Sequence, residues 1–448
     1  MSSDAATSDH GGRSALSDRF AATGRRRPLI VAATAVTALL VLSACTSSSG
    51  GTSRESPVAG TSADTSSSQS SSPTESETPE APDAVITASP TSRAAVSPIQ
   101  PVTVAVAAGK LTSVTLVNPE GKSVAGTLSA DETSWKNTEV LGYSKTYTLT
   151  AVAQNQAGKS TTTKRQITTL TPGNMTMPYL NNTGGRSLQN GATYGVGIVP
   201  VVHFDEQITD RKAAEKALLV TTKPHVDGVW NWVDSQNVHW RPKNYLATGT
   251  RVTVSANVYG VQVGSGLYGQ ADQSVSFKIG AKHISLADDV THTVKVYFNN
   301  KLVRTMPTSM GQGGWVSGSG GQQISLWTMP GTYTVLGHYN PVLMDSSTYG
   351  LPVNSAKGYK EYIYQATQIS TDGIYLHQLD STVWAQGHTD VSHGCLNLSY
   401  DNAHFFYTTS QVGDVVQVLH TGGPKLQIWQ NGDWSVPWST WVKGSALA

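Results

Sequence analysis

Cysteine and charge are both scarce in this chain of 448 residues. The two cysteines, Cys45 and Cys395, lie far apart in different contexts, which excludes a disulfide-stapled scaffold. Only 14% of the residues are charged, and 31 Lys and Arg against 30 Asp and Glu give a net charge of +1. This balance excludes a strongly basic nucleic-acid-binding protein and a polyacidic tail protein. The 11 Trp and 17 Tyr are nevertheless enough for hydrophobic cores, and the length predicts roughly two to four domains.

The N-terminal region has no apolar run of the length that a membrane span requires. Three arginines at residues 25–27 precede an uncharged run of 16 residues, 29–44, whereas a span needs about 20. A basic segment followed by a short apolar segment with small residues at its end is typical of an export signal. Residues 42–45 read Leu-Ser-Ala-Cys and resemble the bacterial lipobox, in which the signal is cleaved before a lipid-carrying cysteine. We therefore predict a signal peptide over residues 1–45 with lipid on Cys45; an uncleaved anchor is the alternative.

Residues 46–96 have the composition of a disordered tether. In residues 46–78, 19 of 33 side chains are Ser or Thr and none is aromatic, so this segment cannot bury enough apolar surface to fold. A flexible coil of about 50 residues, the length of the whole tether, has a root-mean-square end-to-end distance of about 35–42 Å. The folded part of the chain is then expected to work a short distance from a bilayer.

Short alternating runs rich in Val and Thr dominate the rest of the chain and predict a mainly β protein. The predicted division has two immunoglobulin-like β-sandwiches, a β-rich domain with a short helix, and a Trp-rich tail. Their boundaries are 97–172 for domain A, 173–280 for domain B, 281–421 for the third domain and 422–448 for the tail.

Three local patterns add detail to this division. A helix near residues 210–218 is predicted in domain B, and Asn299 and Asn300 predict a hairpin turn in the third domain. The tail has four tryptophans within 13 residues (429–441), so the tail is expected to pack back onto a domain. The tryptophans of domain B are expected in its core rather than stacked on carbohydrate; they are Trp230, Trp232 and Trp240.

Residues 387–397 concentrate side chains that can do chemistry. If this segment is extended, His393, Cys395 and Asn397 share one face, and Leu396 and Leu398 lie on the other. An imidazole beside a thiol can lower its pKa and take its proton, which makes a nucleophile.

The glycine within this segment has a separate use. Gly394 would let a substrate backbone approach closely. The backbone N–H groups of Gly394 and Cys395 are candidate donors to an oxyanion.

Two other interpretations of these residues compete with the nucleophile. One is a buried, inert cysteine beside a surface histidine. The other is a metal site, but the spacing of His377, His388, His393 and Cys395 matches no common zinc pattern, and only one cysteine is available. Because Cys395 is the only cysteine after Cys45 and histidines crowd around it, we favour the nucleophile and predict neither a metal nor a cofactor.

The sequence resembles a known family at this point. Residues 392–397 read Ser-His-Gly-Cys-Leu-Asn and resemble the S-H-G-C-x-N/R signature of the L,D-transpeptidases, the YkuD-type cysteine enzymes of peptidoglycan. Residues 344–355 resemble the substrate lid of actinobacterial members, and residues 385–389, 396–399 and 432–438 also fit. The order of lipobox, tether, two immunoglobulin-like domains, catalytic domain and Trp-rich tail fits as well.

The resemblance implies a role for each matching residue. Cys395 would be the nucleophile and His393 its general base, with Asn397 ordering the site and Gly394 supplying an oxyanion donor. The implied substrate-binding residues are Tyr349, His377, Ser392 and Met344.

The sequence departs from the family pattern after His377. Actinobacterial members usually continue with Ser-Ala-Pro-Trp-Ser, whereas residues 378–382 are Gln-Leu-Asp-Ser-Thr and Trp384 is displaced. The backbone carbonyl of residue 378 is still expected to orient His393, because a carbonyl does not depend on its side chain.

The implied reaction is acyl transfer between peptidoglycan stem peptides. The thiolate of Cys395 attacks the diaminopimelate–D-Ala bond of a tetrapeptide, D-Ala leaves, and a side-chain amine of a second stem resolves the thioester into a 3→3 cross-link. Carbapenem-type β-lactams are implied as covalent inhibitors, and no nucleic acid is expected as a partner. An L,D-carboxypeptidase that uses water and a non-catalytic, tethered wall-binding lipoprotein are the alternatives. The expected location is the cell wall space, at the outer face of the cytoplasmic membrane.

Overall fold

The computed structural model describes residues 80–448. The predicted signal peptide, the lipid site Cys45 and residues 46–79 of the predicted tether therefore lie outside the described residues. Among the helices of residues 80–448, none has the length and apolar character needed to cross a membrane.

Domain A is a sandwich of two antiparallel sheets, in the strand orders β1-β2-β5-β4 and β3-β6-β7. Its strands are β1 Val85–Ser89, β2 Thr103–Ala107, β3 Lys110–Val117, β4 Gly126–Leu128, β5 Ser134–Asn137, β6 Thr146–Gln154 and β7 Ser160–Thr168. The predicted sandwich is therefore confirmed, with its core formed by alternate side chains of β2, β3 and β6.

The prediction that the disordered tether extends to residue 96 is wrong. β1 lies within it and pairs with β2 over five residues, Val85–Ser89. Ala84 and Val96 are buried in the core of domain A, and Ile86 packs against that core. This short β-branched run was hidden by the Ser, Thr and Pro residues around it, but it has a hydrophobic face to bury.

Domain B contains two four-stranded sheets, β10-β18-β15-β12 and β13-β14-β11-β9, and a small third sheet, β16-β17-β8. Its elements are β8 Asn174–Thr176, β9 Pro178–Asn181, β10 Thr193–Tyr194, β11 Val201–Phe204, α1 Arg211–Lys216, β12 Leu218–Lys223, β13 Gly228–Trp232, β14 Asn237–Pro242, β15 Arg251–Ala256, β16 Gln262–Gly264, β17 Leu267–Gly269 and β18 Gln273–Ile279. The predicted helix is confirmed as α1, whose first turn is capped by Asp210 accepting a hydrogen bond from the Ala213 N–H at 2.9 Å.

The tryptophans of domain B lie in its core, as predicted. Trp230, Trp232 and Trp240 are all buried among the aliphatic side chains of the two larger sheets. The indole N–H of Trp232 donates to Glu215 Oε2 at 2.9 Å, which satisfies its polar edge. These rings therefore stabilise the sandwich and are not exposed to a carbohydrate.

Domains A and B are joined by reciprocal tyrosine hydrogen bonds. Tyr143 of domain A donates to the Gly269 carbonyl at 2.8 Å, and Tyr259 of domain B donates to the Leu141 carbonyl at 2.6 Å. The two rings also contact each other, with centroids 5.0 Å apart. Bonds in both directions across the junction fix the relative orientation of the two sandwiches.

The third domain has two main sheets, β21-β20-β19-β31-β24 and β25-β28-β29-β30, and two hairpins, β22-β23 and β26-β27. Its strands are β19 His283–Asp288, β20 Thr293–Phe298, β21 Lys301–Pro307, β22 Trp315–Ser317, β23 Gln323–Ser325, β24 Gly331–Thr334, β25 Gly337–Tyr339, β26 Val342–Asp345, β27 Lys360–Ile363, β28 Ala366–Gln368, β29 Tyr375–Gln378, β30 Leu396–Leu398 and β31 Val415–Leu419. Helix α2, Tyr400–Thr409, follows β30, and short 3₁₀ turns lie at Ser346–Tyr349 and Asp380–Thr382. The predicted hairpin is confirmed, because Asn299 and Asn300 have φ of 49° and 67° between β20 and β21.

The tail after residue 421 packs onto the body, as predicted. It forms 3₁₀ turns at Ile428–Gln430, Asp433–Ser435 and Val442–Gly444 and the short helix α3 Trp438–Trp441. Arg241 of domain B lies 4.4–5.4 Å from the rings of Trp434, Trp438 and Trp441, a set of cation–π contacts. The indole N–H groups of Trp434 and Trp441 donate to domain B carbonyls at 2.7 and 2.9 Å. The tail therefore fastens domain B to the third domain.

Candidate active site

A cleft of about 670 Å³ opens beside β29 and β30 of the third domain. All eight residues that the sequence assigned to catalysis or substrate binding line it: Met344, Tyr349, His377, Ser392, His393, Gly394, Cys395 and Asn397. They come from three separate stretches, which are the predicted lid with the end of β26, strand β29, and the segment 392–397 that leads into β30. The fold therefore places these separated residues around one cavity.

The parallel pairing of β29 with β30 decides which side chains face the cleft. Leu376 lies opposite Leu396 and His377 lies opposite Asn397. Leu376 and Leu396 are buried in the hydrophobic core, so His377 and Asn397 point to the opposite face, where the cleft is. Cys395 directly precedes β30 and lines the same cleft.

The segment before β30 is bent rather than extended, which corrects the sequence prediction for His393 and Cys395. The strand begins only at Leu396, and Gly394 has φ of +137°. A Cβ at Gly394 would lie 3.3 Å from the Trp327 carbonyl oxygen, so this position requires glycine for both conformation and space. The bend places the Cys395 thiol in the cleft, directly before the start of β30.

A hydrogen-bond network holds this bend. The Gly394 N–H donates to Ser392 Oγ at 3.0 Å, and Ser392 Oγ–H donates to the Cys395 carbonyl at 2.6 Å. Buried Thr328 donates to the Gly394 carbonyl at 2.7 Å and accepts the Gly311 N–H at 2.9 Å. The Gly394 N–H is therefore already engaged in this structure, which corrects the prediction that it is free to bind an oxyanion. Ser392 shapes the loop through these bonds.

A backbone carbonyl orients His377 rather than His393. His377 is only 3% exposed, and its Nδ1–H donates to the Gln378 carbonyl at 2.9 Å. This bond corrects the prediction that the carbonyl of residue 378 orients His393. Burial lowers the pKa of His377 to about 4, so its ring is neutral at pH 7. With Nδ1 donating, Nε2 is the lone-pair nitrogen that can accept a proton.

His393 is held by stacking instead. Its ring lies 5.2 Å from that of Tyr359 at an interplanar angle of 27°. Partial burial lowers the pKa of His393, and the positive charge of Lys357 lowers it further. Both imidazoles of the cleft are therefore neutral bases at pH 7.

The thiol of Cys395 is also neutral in this site. Burial raises its pKa to about 12, and the negative charge of Asp372 contributes in the same direction. The thiol donates a long hydrogen bond of 3.5 Å to the Gly373 carbonyl. A neutral thiol beside neutral imidazoles is activated when a base takes its proton during attack, and a pre-formed ion pair is not needed.

Sequence reasoning missed two residues beside the thiol. Tyr359 lines the cleft, and the pKa of its hydroxyl is raised by burial and by the nearby charge of Cys395. It follows the predicted lid closely, so an aromatic residue there was a usable signal. Asp372 had no such signal, because it lies in a loop between two strands and reaches the thiol only through the fold.

The tail holds the loop that contains Asp372. Gln430 Nε2 donates to Asp372 Oδ2 at 2.6 Å, and Asn431 Nδ2 donates to the Ile369 carbonyl at 2.7 Å. Thr371 Oγ1 donates to the Trp429 carbonyl at 2.6 Å. These bonds fix the wall of the cleft whose Gly373 carbonyl accepts the thiol.

Comparison with known proteins supports the assignment suggested by this geometry. Residues 282–418 match the YkuD family, the L,D-transpeptidase catalytic domain, and residues 93–262 match the bacterial Ig domain family Big_10. The chain is 43% identical to L,D-transpeptidase 2 of Mycobacterium tuberculosis (strain CDC 1551 / Oshkosh) over 351 residues, covering 78% of this chain and 81% of that protein. The chain belongs to the L,D-transpeptidase family.

Two further proteins are similar to the chain at lower identity. L,D-transpeptidase 5 of Mycobacterium tuberculosis (strain ATCC 25618 / H37Rv) is 35% identical over 366 residues, covering 80% of this chain and 75% of that protein. A solved structure of the LD transpeptidase LdtMt1 in complex with imipenem is 33% identical, covers 54% of this chain and 99% of that one, and has a TM-score of 0.44.

This L,D-transpeptidase differs from the family pattern on one wall of its cleft. Trp384 is 68% exposed and does not line the cleft, whereas Leu379 and Thr382 do. His388 also lies outside the lining, so the crowding of histidines in the sequence does not correspond to one site.

Replacing Thr328 with valine is expected to slow the transpeptidase about tenfold or more. Valine keeps the shape but leaves the buried Gly394 carbonyl and Gly311 N–H unpaired, each at a cost of about 1–3 kcal/mol. The loop that positions the thiol then relaxes. D-Ala release from a tetrapeptide stem measures the effect, and Thr162→Val on the exposed face of β7 is the matched control. An unchanged rate in Thr328→Val would show that this bond does not position the thiol.

The alkylation of Cys395 by iodoacetamide is expected to accelerate about tenfold per pH unit between pH 7 and 10. A pKa raised to about 12 means that the reactive thiolate is a small fraction that grows with pH throughout this range. Peptide mapping by mass spectrometry follows the modification of Cys395 separately from that of Cys45. A plateau near neutral pH would instead reveal a pre-formed thiolate–imidazolium pair.

Proposed function

We propose that this L,D-transpeptidase forms 3→3 cross-links in peptidoglycan through a thioester on Cys395. The observation that supports it is the convergence of all eight predicted site residues on one cleft with a single thiol. Cys395 Sγ attacks the diaminopimelate carbonyl of a tetrapeptide stem, and the bond to D-Ala breaks. A side-chain amine of a second stem then attacks the thioester, which forms the new amide and returns the thiol.

Proton transfer in both steps requires an imidazole. The base takes the thiol proton during attack and gives it to the amine of the leaving D-Ala; it then takes a proton from the acceptor amine and returns it to sulfur. The sequence assigned this role to His393. The hydrogen bond from His377 Nδ1 to the Gln378 carbonyl favours His377, because it fixes the tautomer in which Nε2 accepts a proton.

Stabilisation of the oxyanion is assigned to hydrogen-bond donors near the thiol that are not already engaged. The Gly394 N–H is engaged with Ser392, which leaves the Cys395 N–H as the proposed backbone donor. The hydroxyl of Tyr359 is a second candidate, because it is near enough to Cys395 for the thiolate charge to raise its pKa. Asn397, which is buried in the wall of the cleft, is proposed to order the strand pair.

The lid between β26 and β27 is proposed to bind the stem peptide and exclude water. Met344 and Tyr349 line the cleft from this side, and Gly350 ends the 3₁₀ turn with φ of +92°. A closed lid favours attack by an amine over hydrolysis of the thioester. An L,D-carboxypeptidase reaction is the second outcome that the same nucleophile permits.

Carbapenem-type β-lactams are proposed as covalent inhibitors. Their strained amide presents the same kind of carbonyl to the same thiol. The amide bond opens, and the product is a thioester from which no D-Ala leaves. The imipenem complex is that of a relative; for this chain the proposal follows from the thiol and its cleft.

The anchoring of the chain is a proposal that rests on its sequence. A signal peptide ending at Cys45, a lipid on that cysteine and a tether would hold the enzyme at the outer face of the cytoplasmic membrane. The location in the cell wall space and the domain boundaries at residues 172, 280 and 421 likewise stay predictions.

A mass-spectrometric assay with a disaccharide-tetrapeptide tests the reaction. The full-length chain is expected to produce a cross-linked dimer that has lost one D-Ala. The same chain with its thiol blocked by iodoacetamide is the control and should yield no product. A tripeptide product alone would replace the proposal by the carboxypeptidase, and the absence of both products would contradict the catalytic role of the cleft.

A further inference from the structure

Three potential metal ligands meet behind the catalytic loop, outside the cleft. Asp289 and His292 lie in the turn between β19 and β20, and Asp390 lies two residues before Ser392. One donor atom from each of the three lies within 4.8 Å of the other two. The cluster therefore joins two segments that are about 100 residues apart.

The donor atoms are close together, and two of them have no hydrogen-bond partner in the described residues. His292 Nδ1 lies 3.2 Å from Asp390 Oδ2, yet this nitrogen has no hydrogen-bond partner within residues 80–448. Asp289 Oδ1 is likewise shielded from solvent and unpaired in this part of the chain. Buried polar atoms without partners are rare and costly, so both atoms point to a missing partner.

One of the three donor–donor distances can be compared directly with that of a metal site. With metal–ligand bonds of about 2.0–2.2 Å, the donors of a tetrahedral zinc ion lie about 3.3–3.6 Å apart. The observed 3.2 Å between His292 Nδ1 and Asp390 Oδ2 is close to this value. Neither carboxylate pairs with a Lys or Arg in the described residues, and His292 is the basic side chain that faces Asp390.

We propose that Asp289, His292 and Asp390 bind one divalent transition-metal ion of the zinc class. Two carboxylate oxygens and one imidazole nitrogen form a set that suits such ions, with water in the remaining position. Calcium and magnesium fit less well, because they prefer a shell made of oxygen alone.

The ion would brace the catalytic loop without taking part in the reaction. Asp390 Oδ1 accepts the Met310 N–H at 2.5 Å, and the Met310 carbonyl accepts the Ser392 N–H at 2.9 Å. Ser392 in turn bonds the backbone of Gly394 and Cys395. A metal held by Asp390 therefore ties the turn after β19 to the loop that carries the thiol.

Cobalt titration of the tag-free, full-length Cys395→Ala variant tests the site. This background removes the catalytic thiol as a competing ligand and makes the result independent of the proposed reaction, and Cys45 is present equally in every variant compared. We expect one Co²⁺ per chain with visible absorption bands, displaced by one Zn²⁺, with a dissociation constant of about 10 μM or below. Asp289→Asn and His292→Gln should each weaken binding about tenfold or more, as expected for lost ligands.

His420→Gln is the matched control, because His420 pairs with Asp288 at 2.8 Å next to the cluster but is largely exposed. It should bind Co²⁺ as the parent does. Zinc should also raise the unfolding temperature of the parent and of the control, but not of His292→Gln. Failure to bind one equivalent below 1 mM, or equal affinity in all four proteins, would overturn the proposal.

Discussion

Replacing Cys395 with alanine should lower D-Ala release from a tetrapeptide stem by about 10⁴-fold or more. Loss of a covalent nucleophile removes the whole acyl-enzyme route, and effects of this size are typical for such residues. Cys395 is the only cysteine in residues 80–448, so no neighbouring thiol in that part of the chain can substitute. Intact-protein mass spectrometry should show the acyl adduct on the parent and none on the variant.

Cys395→Ser is the informative companion of this variant. It keeps a hydroxyl in the same position but offers a far weaker nucleophile, so the rate should stay within about tenfold of that of Cys395→Ala. Unfolding curves should coincide for all three proteins, because the thiol contributes one long hydrogen bond to the fold. Activity in Cys395→Ala within tenfold of the parent would show that another residue forms the acyl-enzyme.

His377→Asn should slow acylation by about 10²–10⁴-fold, the usual contribution of a general base. Asparagine keeps a donor for the Gln378 carbonyl but has no nitrogen that can take the thiol proton. His393→Asn should slow the reaction less than about tenfold, because it loses the stacking on Tyr359 and leaves the oriented base in place. Single-turnover acylation measures this step apart from product release.

The pH profile separates the two histidines further. The parent should show a constant acylation rate from pH 6 to 8, because a base whose pKa is lowered to about 4 is already neutral there. His377→Asn should instead gain rate with rising pH, since only the growing thiolate fraction can attack. The opposite ranking, with His393→Asn slower and pH-dependent, would return the base to the histidine that the sequence motif suggested.

The features predicted well from sequence are those that depend on local pattern. Leu396 and Leu398 are buried as their alternation required, and the Asn299–Asn300 turn connects two paired strands. The Ser-His-Gly-Cys motif located the cleft, because its residues are contiguous in the chain. Local propensity and spacing are enough where a feature lies within a few residues.

The features that were missed depend on contacts between distant segments. β1 was assigned to the tether because only its pairing with β2 gives its β-branched residues a face to bury. The bond that orients His377 joins adjacent residues, but only the pairing of β29 with β30 brings this histidine into the cleft opposite Asn397. Asp372 reaches the thiol through a loop held by the tail, which no local pattern encodes.

The tail also determines when the surroundings of the catalytic thiol are complete. Residues 429–431, which bind the loop next to Cys395, are synthesised more than 30 positions after it. At about 5–20 residues per second, a growing chain holds the entire cysteine motif for one or more seconds before those bonds can form. The nucleophile therefore gains its finished surroundings only after the end of the chain has been made and the tail has docked.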